Sequence, residues 1–261
     1  MTASPNGHDA DAACEPSRVA VVTGGTRGLG AAITRVLTAE GVHVAAVFAR
    51  DDEAARRLAD EVAADGGSLS LHRGDVGDRA FCRRLVQDVL ATHGRLDHLV
   101  NNAGLLIENK VRAMTQEEWD DALRANLSGP FHLAQAVLEP MTDRRFGRIV
   151  NIGSVTAAMG SPVEAGYAAA KAGLLGLTRS LARSVARKGV TVNLVVPGVF
   201  ETDMTNVMPA PAQEAIRAMI PLGRRGDPGE LAHAVRFLLD ERAGYITGSV
   251  VTVDGGLSMG A

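Results

Sequence analysis

A chain of 261 residues, 46% of them apolar and 22% charged, is long and apolar enough to close a sizeable core. Its formal net charge of −3 excludes the basic surplus of a protein that wraps nucleic acid, and the apolar share excludes a disordered one. Two cysteines, Cys14 and Cys82, with no CxxC spacing, argue for a reducing compartment without structural disulfides or a zinc site.

Residues 1–17 show no periodicity and no basic or apolar leader, which predicts a flexible tail on a cytoplasmic protein and not a secretion signal. From Arg18 onward short β-branched runs alternate with amphipathic stretches. Strands are predicted at Val19–Val22, Val42–Phe48, Leu69–His72, His98–Val100, Arg148–Ile152, Thr191–Val195 and Ser249–Val253. Helices are predicted at Leu29–Glu40, Asp52–Ala64, Asp78–Thr92, Gln116–Met141, Gly166–Lys188 and Gly229–Asp240. Gly41, Gly94 and Gly189 stand just past three of these, where a helix often closes in a left-handed residue. No apolar run reaches the roughly 18 residues that span a bilayer. Strict strand–helix alternation calls for parallel pairing through crossover helices: an α/β, doubly wound sheet, read as one domain over residues 18–261. Only Val199–Arg225, with Pro209, Pro211, Pro221 and Gly223 around a short helical pattern at Ala212–Ile220, breaks the rhythm. Such an insert is either a lid over a site or a plain surface excursion.

The first strand runs straight into Thr23-Gly24-Gly25-Thr26-Arg27-Gly28-Leu29-Gly30 and then a helix. Glycines at 24, 28 and 30 allow a tight turn, close approach of a phosphate and tight helix–sheet packing, with free N–H groups facing an anion. Further on, Tyr167 and Lys171 lie four apart in a helical pattern and share a face. An ammonium beside a phenol favours the phenolate, so Lys171 is expected to lower the Tyr167 pKa.

TGGTRGLG, Asn101-Asn102-Ala103-Gly104 after the fourth strand, Ser154 after the fifth, Tyr167 and Lys171 in YAAAK, and Pro197-Gly198 after the sixth together resemble the short-chain dehydrogenase/reductase family. The resemblance covers residues 18–260. Within the family, GRIVNIGSV, GYAAAKAGLLG and YITGSVVTVDGG look most like the 3-oxoacyl-[acyl carrier protein] reductases. It implies a Rossmann-like sheet of about seven strands in the order 3-2-1-4-5-6-7, an NADPH-dependent carbonyl reductase, and a homotetramer. It also implies four catalytic residues: Ser154 to align the carbonyl, Tyr167 as proton donor, Lys171 to tune Tyr167 and hold the nicotinamide ribose, and Asn126 to hold a water linked to Lys171. The alternative for Asn126 is a polar helix residue satisfied locally. Carried over as cofactor contacts are Thr23, Gly24, Thr26, Arg27, Gly28, Leu29 and Gly30 of the turn, Asp75 and Val76 at the adenine edge, Asn102, Ala103 and Gly104, and Pro197, Gly198 and Thr202 on the nicotinamide side.

Charge bears on which dinucleotide is taken. Phe48 stands where relatives that prefer NAD carry an acid, and Arg50 and Arg27 lie near the expected adenosine ribose, placed to clamp a 2′-phosphate. The opposing reading is a solvated Arg50 neutralised by Asp51 and Asp52. The substrate is less legible. Leu105–Met114, Val155–Gly166 and Val199–Arg225 are the expected lining, with Leu105, Leu106, Ile107, Met159, Val163 and Met204 as an apolar wall. Arg145 and Lys188 occupy positions resembling a basic patch beside the cleft that receives an acyl carrier protein, or they are solvated ends near a helix dipole. Three readings stay open: a reductase of 3-oxoacyl thioesters, a tailoring ketoreductase of polycyclic polyketide ketones, and a catalytically silent NADPH-binding sensor.

Overall fold

The computed structural model describes residues 18–202, 205 and 209–260. The expected tail over residues 1–17 and the wall residue Met204 lie outside them. Seven strands form one parallel sheet in the order β3-β2-β1-β4-β5-β6-β7, as the resemblance implies. They are β1 (Val19–Thr23), β2 (His43–Phe48), β3 (Leu69–Arg73), β4 (His98–Asn101), β5 (Gly147–Ile152), β6 (Val190–Pro197) and β7 (Val250–Val253). The central strands β1, β2, β4 and β5 are buried at every residue, which is why their sequences read as unbroken apolar runs.

Helices cover both faces. On one side α3 (Arg79–His93), α5 (Gly129–Asp143) and α7 (Ala165–Val185) pack Val86, Val137 and Leu181 against Val21, Leu99 and Ile149. On the other, α1 (Gly28–Ala39) and a helix over Pro228–Leu239 pack Ile33, Leu37, Leu231 and Val235 against Val22, Val100 and Val150. Fully burying each such side chain contributes about 1.5–3 kcal/mol before the cost of ordering it. Helix starts follow their chemistry. Asp51 accepts the Ala54 N–H to begin α2 (Asp52–Ala64), and Thr115 with Glu118 forms a capping box on α4 (Gln116–Leu123). Gly94 closes α3 in the left-handed region at φ 68°.

Two departures from the sequence reading matter. The single helix expected over 116–141 is α4 and α5 joined by a π-helical turn, Arg124–Ser128. A four-residue helix, α6 (Thr156–Met159), follows β5 where no helix was expected. The insert carries α8 (Ala210–Met219), close to its predicted bounds, and the Pro228–Leu239 helix is α9. Among the described residues no helix is long and apolar enough to cross a membrane.

Candidate active site

A parallel sheet brings all its carboxyl ends to one edge, and the candidate residues gather there. At the end of β1, Gly24 and Gly28 take φ of 61° and 51°, which side chains with a Cβ resist. A Cβ on Gly30 would stand 1.9 Å from the Gly24 carbonyl oxygen, so this crossing of turn and helix admits glycine alone. Arg27 begins α1 without a side-chain cap, leaving the first N–H groups of a 12-residue helix with no side-chain acceptor. The donors, the turn and the nearby cations fit the phosphates of a dinucleotide.

The flanking residues divide between building this cradle and lining it. Thr23 builds it: its buried hydroxyl accepts the Asn102 and Ala103 N–H groups at 3.0 and 2.9 Å. The Asn102 side chain donates to the carbonyls of Thr23 (2.9 Å) and Gly24 (3.2 Å), stitching β4 to the turn. Thr26 is buried, Leu29 is half-buried in the first turn of α1, and Val76 packs beneath the π-turn against Gly129. From the other side Gly198 donates to the Val253 carbonyl at 2.9 Å. Thr202 lies over the turn, its methyl 3.6 Å from where a Gly28 Cβ would be.

At the end of β2, Asp51 pairs with Arg27 (3.2 Å) and Asp52 with Arg73 (3.2 Å). Arg50, which the opposing reading has those two acids neutralise, is exposed and has no hydrogen bond or ion pair among the described residues. Asp75 is tied to Arg124 and accepts the Gly77 N–H at 2.8 Å. Burial pushes its carboxyl up, but Arg124, that N–H and Arg50 outweigh it and hold the pKa below the usual carboxylate value.

The reacting groups lie at the ends of β4 and β5. Ser154 accepts the Thr156 N–H at 3.1 Å, in the α6 turn, and lies close enough to the Tyr167 hydroxyl to favour its phenolate. Lys171 is 3% exposed and donates to the Ile152 carbonyl at 2.8 Å. Its burial lowers the pKa from 10.5 to about 8. The expected lowering of the Tyr167 pKa is corrected here: the phenol is shifted upward, by burial first and by the Glu164 carboxylate, against the pull of Ser154. Placement is the reason, since Lys171 Nζ lies 5.6 Å from the ring centroid and is turned to a backbone carbonyl.

Asn126 sits inside the π-turn and is fully buried. Its amide donates to the Leu105 and Ala122 carbonyls (2.8 and 2.9 Å) and accepts the Leu105 N–H (3.1 Å), so it satisfies its own helix and also pins the loop after β4. A Cβ on Gly104 would come 2.9 Å from Asn126 Oδ1 and 3.6 Å from Lys171 Nζ; glycine keeps the space between these polar atoms open.

Two of the expected substrate-lining segments meet, the Asn109 N–H donating to the Val163 carbonyl at 2.7 Å. Leu105, Leu106, Ile107 and Val163 are half-buried, while Met159 is 42% exposed. The basic residues are the second correction. Arg145 and Lys188 precede β5 and β6, at the amino ends of strands that run away from them towards Ser154. Six residues of strand, about 20 Å, separate them from their own cleft, so they do not flank it. Glu164 lies within the expected lining segment Val155–Gly166 without being singled out there; it stands three residues before Tyr167 and so one turn earlier on its face of the helix, and that spacing was the available signal.

The family model described as "Enoyl-(Acyl carrier protein) reductase" matches residues 24–258. The chain is 43% identical over 242 residues to the 3-oxoacyl-[acyl-carrier-protein] reductase FabG of Escherichia coli, covering 93% of this chain and 98% of that one. To the reductase of the same name from Staphylococcus aureus it is 39% identical over 243 residues, 93% of this chain and 99% of that one. Acetoacetyl-CoA reductase of Shinella zoogloeoides is 42% identical over 241 residues, 92% of this chain and 98% of that one.

Proposed function

The chain belongs to the short-chain dehydrogenase/reductase family of oxidoreductases, and from that premise we propose that it is an NADPH-dependent ketoreductase of 3-oxoacyl thioesters. The observation that carries the reading is Ser154 close enough to the Tyr167 phenol to act on it, beside a buried Lys171, at the edge where the glycine turn opens. The names of the relatives support the substrate class. One names a carrier-bound 3-oxoacyl group and another a CoA thioester. The family model's description names an enoyl reductase; the serine–tyrosine pair, built to handle a carbonyl oxygen, favours the ketone.

When bound, the reduced nicotinamide supplies the hydride that the carbonyl carbon accepts. Ser154 donates a hydrogen bond to the carbonyl oxygen, offsetting the charge that develops there. Tyr167, whose raised pKa keeps it protonated at neutral pH, gives that oxygen its proton. Lys171, titrating near 8, returns a proton through the space between it and Asn126 and would hold the nicotinamide ribose. The turn residues 24–30, Asn102 to Gly104, and Pro197, Gly198 and Thr202 would hold the rest of the cofactor, and Asp75 and Val76 would contact its adenine. The choice of NADPH is supported by Arg50, which makes no hydrogen bond or ion pair among the described residues while Asp51 occupies Arg27.

Residues 199–225 serve as the lid of this single domain. The protein works as a homotetramer, which would cover exposed apolar groups such as Phe131 on α5 and Val250 on β7. If a carrier protein docks on Arg145 and Lys188, it serves the cleft of a neighbouring subunit. The test is loss of reduced-nicotinamide absorbance with a 3-oxoacyl thioester, a simple diketone and a polycyclic ketone. Tyr167→Phe is expected to cut kcat by about 10²–10⁴-fold with NADPH affinity unchanged. Turnover by wild type with polycyclic ketones alone would establish the tailoring reading, and NADPH binding with no turnover the sensor.

A further inference from the structure

Beside Tyr167 stands a carboxylate that the reduction itself does not require. Glu164 leads into α7 one turn before Tyr167 and is half-buried. It sits where two substrate-side segments join: Asn109 of the loop after β4 forms an isolated parallel bridge with it, and Tyr167 follows on its own helix. Glu108, the neighbour of Asn109, acts on it across that bridge. Asn109 cannot relieve the pair, because its side chain donates to Glu118 (3.0 Å) and to the Ala113 carbonyl (3.3 Å). Lys110 and Arg112, on the same loop, are both exposed.

We propose that Glu164, with Glu108 opposite, is the specificity-determining residue that turns away ketones carrying a carboxylate next to the reacting carbonyl and admits those whose acyl end is uncharged, as in a thioester. This rests on the ketoreductase reading and narrows it to esters and thioesters of 3-oxo acids against the free acids. The electrostatics agree. Burial and then Glu108 push the Glu164 carboxyl up, the sign of negative charges held near one another against solvation, and Glu164 in turn pushes the Tyr167 phenol up. A group that acts on Tyr167 also acts on an anion bound against Tyr167. Two unit charges about 8 Å apart, at an effective dielectric between that of the protein rim and water, change a binding ratio by about tenfold. The phosphates of CoA or of a phosphopantetheine arm lie much farther from the reacting carbonyl and escape this discrimination.

The experiment compares kcat/KM for methyl acetoacetate and for acetoacetate with NADPH at neutral pH, in wild type, Glu164→Gln, Glu164→Asp and Glu108→Gln. Wild type should prefer the ester strongly. Glu164→Gln should lower the ester-to-acid ratio about tenfold and Glu108→Gln about threefold, while Glu164→Asp, which keeps the charge, holds the wild-type ratio within about twofold. An unmoved ratio in a Glu164→Gln enzyme that still reduces the ester overturns the proposal. Should that variant be too unstable to assay, an unmoved ratio in Glu108→Gln overturns it equally. Wild type reducing no ketone at all defeats the ketoreductase reading itself, a different result from an active enzyme with an unmoved ratio. A readout without turnover comes from the two tyrosines of the chain. Tyr245 is fully exposed, so tyrosinate absorbance resolves it from Tyr167, whose ionisation should move to lower pH in Glu164→Gln; an unmoved titration also overturns the assignment.

Discussion

Replacing Asn126 with alanine tests how the site is held together. The amide makes three hydrogen bonds, and two of them satisfy the N–H and C=O of Leu105, in a loop with no strand or helix to supply substitutes. A buried donor or acceptor left unmet costs about 1–3 kcal/mol. Counting the two Leu105 groups as orphaned and the Ala122 carbonyl as recovered within its helix, the loss is about 2–6 kcal/mol. For a chain of this length that lowers Tm by roughly 4–24 °C. Because the same loop carries Asn109 to the start of α7, the ketone-side wall loosens as well, and kcat should fall at least about tenfold. Thermal melts followed by circular dichroism, with steady-state turnover at a temperature where both proteins are folded, measure the two effects. A variant that melts within about 1 °C of wild type and turns over normally would refute the reasoning, since Leu105 would then be held by something other than Asn126.

Three further outcomes follow from the geometry. Arg50→Asp should move cofactor preference towards NADH by about tenfold or more in kcat/KM, and an unchanged preference removes Arg50 from that choice. Gly30→Ala forces a Cβ to 1.9 Å from the Gly24 carbonyl, so calorimetric NADPH binding should vanish even where circular dichroism shows the variant folded. His98 is buried, its Nδ1 has no partner among the described residues, and burial lowers its pKa from 6.5 to about 4. The unfolded chain therefore takes up a proton that the folded one refuses. Its contribution to stability is full above about pH 6.5 and lost as pH falls towards 4, by up to about 1.4 kcal/mol per pH unit. Denaturant melts at several pH values should show a shallower acid slope in His98→Leu; an identical slope would contradict the buried-neutral state.

Much of the protein is legible before folding. Local periodicity and turn chemistry suffice for the alternation of strand and helix, the glycine turn and the shared face of Tyr167 and Lys171, because these depend on residues a few positions apart. The resemblance carried strand order, which requires knowing how the crossovers run, and residues such as Asn126 that no local rule singles out. Even the π-turn that faces Asn126 towards Leu105 is invisible to a helical pattern, since one wider turn leaves the apolar periodicity of 116–141 almost unchanged.

Only the tertiary structure decided the electrostatics and the polarity of the molecule from end to end. A pKa depends on burial and on groups distant in the chain, so the rise at Tyr167 and the fall at Lys171 came from packing where spacing pointed the other way for the phenol. Arg145 and Lys188 look near the site in sequence because each precedes a strand that ends there. A parallel strand carries its two ends to opposite sides of the sheet, and that places them away from their own cleft.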